Sequence, residues 1–247
     1  MRSLILAMVL VVSAPAGHAA ELTVSVAASL KDAFAEIARA FEVDQPAHRV
    51  LLNAGASGQL LQQIAKGAPV DVFASADEET MDRAQEQNLI VKDTRADFAR
   101  NRLVVVVPAD ARFVPRTPKE LGGAEVQRIA IGNPDSVPAG RYAKGALVTA
   151  RIWDDLKVRL INTQNVRQAL DYAARGEVDA AFVYVTDAIL PGSRVKVAFD
   201  VPTTSPVVYP ISVVKGSASE RIAAAFVQFV RGDAGRRILR KFGFEVP

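Results

Sequence analysis

Apolar residues near the start of the chain change from a period of two to a period of about 3.6. The alternating positions, Leu22, Val24 and Val26, predict a strand. The helically spaced positions that follow are Leu30, Ala33, Phe34, Ile37 and Phe41. Ser29 lies where the period changes, beside helical N–H groups that have no partner within the helix and can bind an anion. The alternative is a capping box of Ser29 and Asp32, which needs no ligand.

Strand and helix patterns alternate along the rest of the chain. Further strands are predicted at residues 49–54, 71–74, 102–107, 128–132, 158–161, 179–185, 194–199 and 207–214. Helices are predicted after the turn at 55–58, from Asp77, Thr117, Ala139 and Asn165, and twice more before the end, finishing near Val230 and Arg240. This alternation predicts an α/β fold with mostly parallel sheets wound by helices. The four valines within 102–107 are typical of a central parallel strand covered on both faces.

Composition narrows the class of protein. The chain has 247 residues, of which 50% are hydrophobic and 23% charged, so it can bury a substantial core. The formal net charge is only +3 and the basic residues are scattered, which argues against a nucleic-acid partner. Because cysteine is absent, disulfides, thiol catalysis and thiolate metal sites are excluded.

Residues 1–20 have the pattern of a signal peptide. Arg2 provides the positive start, residues 4–12 are an apolar run, and Gly17, Ala19 and Ala20 are small residues suited to cleavage. The run is shorter than the roughly 20 apolar residues that a transmembrane helix needs, although an uncleaved anchor is an alternative. We expect cleavage after Ala19 or Ala20 and export of the mature protein.

Catalytic motifs are incomplete in this sequence. Residues 55–59 resemble the G-x-S-x-G motif of serine hydrolases, but Gln59 replaces the last glycine. After cleavage only one histidine remains, His48, and it lies in a polar turn. A hydrolase using Ser57 would need His48 or a carboxylate as its base. We therefore predict no catalytic residues, no transition-metal site and no cofactor, and we keep the hydrolase as an alternative.

Four predicted helix starts share one edge of the sheets. Ser29, Ser57, Ala139 and Val166 each follow a strand, and ligands of open α/β sheets bind outside the carboxyl ends of the strands. Each helix N-terminus carries roughly +0.5 charge, so four of them supply about +2 and suit a dianion. Each position also has a purely structural explanation as a cap, a tight turn or an ordinary first helical turn.

Six segments, spread over the mature chain, resemble the periplasmic molybdate-binding proteins of ABC importers. They are A-A-S-L at 27–30, G-A-S-G at 55–58, G-A-P-V-D-V-F-A-S-A-D at 67–77, N-P-D-S-V-P-A-G at 133–140, N-V-R-Q-A-L at 165–170 and F-V-Y-V-T-D-A at 182–188. The resemblance implies a two-lobed periplasmic-binding fold of type II with a hinge. It implies lobe I at 21–104 and 205–247, and lobe II at 105–204, with crossings near 102–108 and 201–206.

The resemblance also implies a ligand and its contacts. A tetrahedral oxyanion, molybdate or tungstate, would be held by Ser29, Ser57, Ala139, Val166 and Tyr184, with no direct metal ligands. Ala139 and Val166 would contribute backbone N–H groups, and Tyr184 its phenolic hydroxyl. The protein would be a periplasmic monomer that delivers the ion to an inner-membrane permease. The alternative within this class is a carrier of sulfate or another oxyanion.

Overall fold

The computed structural model describes residues 20–190, 192 and 194–247. The predicted signal peptide lies outside the described residues except for Ala20, which is the first residue of a strand. The first elements in chain order are β1 (Ala20–Ala27), α1 (Lys31–Asp44), β2 (His48–Gly55), α2 (Ser57–Ala65), β3 (Val72–Ala74), α3 (Glu78–Glu86) and β4 (Ala96–Asn101). These four strands belong to one sheet.

The chain then builds a second sheet. Its elements are β5 (Leu103–Pro108), β6 (Ile129–Gly132), α4 (Pro138–Thr149), α5 (Trp153–Leu156), β7 (Leu160–Thr163), α6 (Val166–Ala174), β8 (Ala180–Tyr184), α7 (Val185–Ala188) and β9 (Val195–Asp200). The chain returns to the first sheet with β10 (Val207–Val213) and ends with α8 (Glu220–Arg231) and α9 (Asp233–Lys241).

Both sheets have five strands and are mixed rather than mostly parallel. Their orders are β2-β1-β3-β10-β4 and β7-β6-β8-β5-β9. In each sheet two neighbouring pairs are parallel and two are antiparallel. The antiparallel pairs all involve β10 or β5, the strands that enter from the other sheet. Parallel pairing requires a crossover connection within one sheet, and these two strands have none.

The valine-rich strand β5 shows why the prediction of mostly parallel sheets was wrong. Leu103 to Val107 are buried, as the valine run predicts. However, β5 runs antiparallel to both neighbours, β8 and β9, and not parallel as predicted. Burial on both faces selects apolar side chains whichever way the neighbouring strands run, so the run predicted burial and could not predict direction.

The chain passes between the sheets at Arg102 and again within residues 201–206. The predicted lobe boundary between residues 104 and 105 therefore falls inside β5. We propose that the first lobe comprises 20–101 and 207–247, and that the second comprises 103–200. Both crossings lie side by side, since β5 pairs with β9 and β4 pairs with β10.

Several local predictions differ from the structure. The predicted strand at 158–161 is displaced by two residues to β7, because residues 157–159 form a 3-10 turn. Val185 begins α7 instead of ending β8. Strand β4 and helix α5 were not predicted, since the sequence A-D-F-A-R-N lacks a regular apolar alternation and α5 has only four residues.

Aromatic side chains fill the core of the first lobe between α1, α8 and the sheet. Phe41 and Phe226 meet edge to face with ring centroids 5.1 Å apart, and Phe34 contacts Phe98 at 5.7 Å. All four are buried, and each contributes about 1.5–3 kcal/mol relative to an exposed side chain. Among the described residues, no helix is long and apolar enough to cross a membrane.

Candidate functional site

The five predicted ligand-contacting residues line one cavity between the lobes. Ser29 and Ser57 come from the first lobe, and Ala139, Val166 and Tyr184 come from the second. The empty space among its lining atoms is about 200 Å³, part of which is open to solvent. Its other lining residues are Ala27, Ala28, Gly55, Ala56, Ala76, Val137, Pro138 and Asn165, so no charged residue is among those that line it.

Three helices begin at this cavity. Helix α2 begins at Ser57, α4 at Pro138 and α6 at Val166. The first N–H groups of a helix have no partner within it, so these ends present donors to the space between the lobes. Because Pro138 has no N–H, Ala139 supplies the first donor of α4. The Asn165 side chain caps α6 by accepting from the Gln168 N–H at 3.1 Å.

The start of α1 differs from the prediction. Residues 28–30 form a 3-10 turn, and α1 begins at Lys31 without a side-chain cap. The capping box of Ser29 and Asp32 is therefore absent. The Ser29 Oγ lies 3.1 Å from the Tyr209 Oη, and the Asp32 carboxylate pairs with Arg167 of the second lobe at 2.7 Å. Both side chains make tertiary contacts in place of the local ones.

The Ser57 hydroxyl is oriented by the backbone of its own lobe. Its oxygen accepts a hydrogen bond from the Ala76 N–H at 3.1 Å, and the side chain is fully buried. Since a backbone N–H can only donate, the proton of the Ser57 hydroxyl is free to point into the cavity. The structure therefore presents Ser57 as a donor at this site.

The Tyr184 hydroxyl is a buried donor whose partner is missing from the described residues. Tyr184 is 1% exposed, and its Oη has no hydrogen-bond partner among them. Burial raises the pKa of this phenol well above its ordinary value, so the hydroxyl keeps its proton. Leaving such a group unpaired costs about 1–3 kcal/mol, so the Tyr184 hydroxyl is a candidate donor to a ligand in the cavity.

Two arginines flank the cavity and bind acids across it. Arg141 of α4 contacts Asp77 of the first lobe, with its Nη2 2.6 Å from the Oδ2. Arg167 of α6 contacts Asp32 of the first lobe at 2.7 Å and Asp187 of its own lobe at 2.6 Å. Burial raises the pKa of the Asp187 carboxyl, and the adjacent Arg167 opposes that effect. These guanidinium charges are therefore neutralised by carboxylates instead of lining the cavity.

The sequence did not predict this arginine pair. The only available signal is position: Arg141 and Arg167 follow Ala139 and Val166 within the first helical turn. Their acidic partners in the first lobe are 64 and 135 residues away in the chain. Nothing local to either arginine identifies those partners.

A backbone contact also joins the lobes beside the cavity. The Gly58 N–H donates to the Ser136 carbonyl at 3.0 Å. A Cβ atom at position 58 would lie 2.7 Å from that carbonyl oxygen, closer than non-bonded atoms approach. Glycine is therefore required at this position for the lobes to meet as they do.

Metal ligation and hydrolysis are not supported by the described residues. They contain no group of three or more histidine, cysteine, aspartate or glutamate side chains able to hold a metal ion. The described hydrogen-bond partner of the Ser57 hydroxyl is the Ala76 N–H, whereas a nucleophilic serine needs a base that accepts its proton.

Comparison with known proteins identifies the family of this chain. Residues 22–245 match a family described as bacterial extracellular solute-binding protein. The chain is 35% identical to the molybdate-binding protein ModA of Haemophilus influenzae over 91% of this chain and 90% of that protein. It is also 35% identical to ModA of Escherichia coli, over 92% of this chain and 89% of that protein.

A solved structure shows the same fold. The periplasmic molybdate-binding protein of Azotobacter vinelandii superposes with a TM-score of 0.81 at 27% identity, covering 92% of this chain and 99% of that one. The expected two-lobed α/β fold of type II periplasmic binding proteins is thereby confirmed, as is the family resemblance inferred from the motifs. The chain belongs to the family of bacterial extracellular solute-binding proteins.

Proposed function

We propose that this protein captures molybdate, and also tungstate, in the interlobe cavity and delivers it to an ABC importer. The observation that carries the proposal is the buried Tyr184 hydroxyl, which lacks a partner among the described residues and lies in a cavity lined by donors. Relatives at 35% identity that bear the name molybdate-binding protein support the choice of ion.

The proposed contacts divide between side chains and backbone. Ser29, Ser57 and Tyr184 donate hydroxyl protons, while Ala139 and Val166 donate backbone N–H groups. Hydrogen bonds to a charged acceptor contribute about 1.5–3 kcal/mol each. The helix starts add positive potential without a mobile cation, which suits a fully deprotonated dianion. An apolar side chain at positions 139 and 166 is compatible with this role because only the main chain is used.

The cellular setting follows from the same proposal. Residues 1–20 act as a signal peptide, cleavage leaves Ala20 or Glu21 first, and the mature protein works in the periplasm as a monomer. It hands the oxyanion to an inner-membrane permease through a transient contact. Neither a resident cofactor, a nucleic acid nor an enzymatic activity is part of the proposal. N-terminal sequencing of protein from the native cell envelope tests the export step, and a retained Met1 would contradict it.

Isothermal titration with molybdate, tungstate, sulfate and phosphate tests the ligand. We expect molybdate and tungstate to bind far more tightly than sulfate, and phosphate to bind most weakly. Sulfate offers only acceptors but is smaller, so its hydrogen bonds would be longer. Phosphate keeps a proton that needs an acceptor, and a site built for one hydrogen-bond pattern rejects a mismatched ligand strongly.

The outcomes of the titration separate the alternatives. Sulfate binding tighter than molybdate would identify a sulfate carrier, and phosphate binding comparable to molybdate would require an acceptor in the cavity. Absence of binding by all four ions would overturn the proposal. A serine hydrolase would instead turn over a chromogenic ester, and Ser57→Ala would abolish that turnover.

A further inference from the structure

We propose that Asn101 and Tyr209 are positioning residues that orient the Ser29 hydroxyl so that its proton is available to a ligand in the cavity. The inference rests on the proposed function, since it assigns a role to residues behind the oxyanion site. Neither residue lines the cavity. Both are buried, with Asn101 7% and Tyr209 0% exposed; Asn101 ends β4 at one crossing between the lobes, and Tyr209 lies in β10 just after the other.

The amide of Asn101 has one allowed orientation. Its Oδ1 accepts the Arg102 N–H at 2.9 Å, and its Nδ2 faces the Thr186 Oγ1 at 2.8 Å and the Tyr209 Oη at 3.2 Å. A flipped amide would place its NH₂ group against the Arg102 N–H, so that two donors would face each other. The Nδ2 therefore donates to the Tyr209 oxygen.

The direction of the next hydrogen bond follows from that orientation. The Tyr209 oxygen accepts from Asn101, and its own proton needs an acceptor. The Ser29 Oγ, 3.1 Å away, is that acceptor among the described residues, because the Asn101 Nδ2 can only donate. Burial raises the pKa of the Tyr209 phenol well above its ordinary value, so this proton is retained.

The hydrogen bond from Tyr209 determines what the Ser29 hydroxyl presents to the cavity. Its oxygen is engaged as an acceptor from Tyr209, so its proton turns toward the cavity. These hydrogen bonds run in one direction. The Arg102 N–H donates to Asn101, the Asn101 amide donates to Tyr209, and the Tyr209 hydroxyl donates to Ser29, whose own proton faces the cavity. The Ala76 N–H orients Ser57 in the same manner. Each serine therefore keeps its own proton available for a ligand, while a fixed donor occupies one of the two lone pairs on its oxygen.

Anion selectivity can report the direction of the Ser29–Tyr209 hydrogen bond. If Ser29 donated to Tyr209, it would present only lone pairs to the ligand, and these suit a protonated ion better than a deprotonated one. Sulfate and hydrogen phosphate are of similar size and, at about pH 8, carry the same charge, but only the phosphate carries a proton. The ratio of their affinities therefore reports whether Ser29 can reverse its hydrogen bond.

The test uses Tyr209→Phe, which removes one oxygen and keeps the ring. We expect molybdate affinity to fall roughly 2- to 13-fold, the range for one neutral hydrogen bond. Tyr172→Phe is the matched control, since its hydroxyl contacts Gln168 on α6 and does not line the cavity.

A double-mutant cycle shows whether Tyr209 acts through Ser29. In a Ser29→Ala background, Tyr209→Phe should change molybdate affinity less than about 2-fold, because the group that it positions is gone. An undiminished effect of Tyr209→Phe in that background would overturn the proposal.

Asn101→Asp tests the direction of the hydrogen bonds without deleting an atom position. An aspartate at 101 accepts from Tyr209, so Ser29 must donate to Tyr209 and present its lone pairs to the ligand. We expect molybdate affinity to fall at least about 10-fold, with a lower sulfate-to-phosphate ratio than in wild type. Thermal unfolding of each variant verifies that it is folded before titration.

The outcomes distinguish this inference from the proposed function. If wild type binds molybdate and folded Asn101→Asp keeps the wild-type molybdate affinity and sulfate-to-phosphate ratio, the positioning role is wrong and the molybdate site stands. If wild type binds none of these oxyanions, the proposed function itself fails, and the inference fails with it.

Discussion

Arg141 of the second lobe forms an ion pair with Asp77 of the first. Its Nε and Nη2 lie 2.9 and 2.6 Å from one carboxylate oxygen, and the other oxygen caps α3 by accepting the Thr80 N–H. The Arg141 Nη2 also donates to the Thr80 Oγ1 at 2.6 Å. Both charged side chains are mostly buried, so the pair holds the lobes together beside the cavity. Arg167 and Asp32 form a second ion pair between the lobes.

Arg141→Gln should weaken ligand binding without altering any group that lines the cavity. The closed arrangement loses a charge-assisted contact between the lobes, and apparent affinity falls with the population of the closed form. We expect molybdate affinity to drop about 10- to 150-fold, corresponding to a hydrogen-bonded charged contact of about 1.5–3 kcal/mol. Titration calorimetry measures the affinity, and small-angle scattering measures lobe opening.

Arg49→Gln is the matched control for this variant. Arg49 pairs with Glu42 at 3.0 Å within the first lobe, and its side chain is 66% exposed, so its loss should change affinity little. Equal affinities of Arg141→Gln and wild type would show that the ion pair does not contribute to closure.

Ser29→Ala and Ser57→Ala should each weaken molybdate binding about 10- to 150-fold, because each removes a hydroxyl donor to a charged ligand. Stability should also fall, since Ser57→Ala leaves the Ala76 N–H without its acceptor and Ser29→Ala leaves the Tyr209 hydroxyl without one. Ser219→Ala, at the start of α8 where no side-chain cap is made, is the control. Wild-type affinity in both cavity variants would remove the serines from the site.

Val166 separates a backbone contact from a side-chain contact. Val166→Ala should change affinity little, because the proposed donor is the main-chain N–H. Val166→Pro should damage binding while preserving the fold, since proline is tolerated at the first position of a helix and Asn165 already has the extended backbone that precedes proline. Calorimetry on both variants, with circular dichroism to verify folding, measures this. Near-normal binding by folded Val166→Pro would exclude the N–H.

Three buried tyrosines should make the free energy of unfolding fall steeply as the pH rises above 10. Burial raises the pKa of Tyr142, Tyr184 and Tyr209 above the ordinary value of 10.0, so these phenols ionise first in the unfolded chain. Their contribution to stability is complete below pH 10 and is lost as pH rises above it. Each tyrosine lowers the free energy of unfolding by about 1.4 kcal/mol per pH unit in that range.

Urea unfolding of wild type and Tyr142→Phe at several pH values above neutrality measures this slope. The variant should lose about one third of the tyrosine contribution. An identical slope in the two proteins would show that Tyr142 ionises equally in the folded and unfolded states.

The sequence by itself determined the local elements and their ends at the site. Apolar periodicity and turn residues placed the starts of α2, α4 and α6 at or next to Ser57, Ala139 and Val166. These signals are readable because hydrogen bonds and side-chain periodicity within one element involve residues only a few positions apart. The motifs then identified the family and hence the fold.

Only the tertiary structure decided how those elements are oriented and which side chains from different elements contact one another. The direction of β5, the partner of Ser29 and the acids bound by Arg141 and Arg167 all depend on residues distant in the chain; Ser29 and Tyr209 are 180 positions apart. Ser29 and Asp32 have the spacing of a capping box, yet both bind residues far from α1. A short polar side chain has several partners of similar energy, and packing between the lobes selects among them, so local spacing could not predict the outcome.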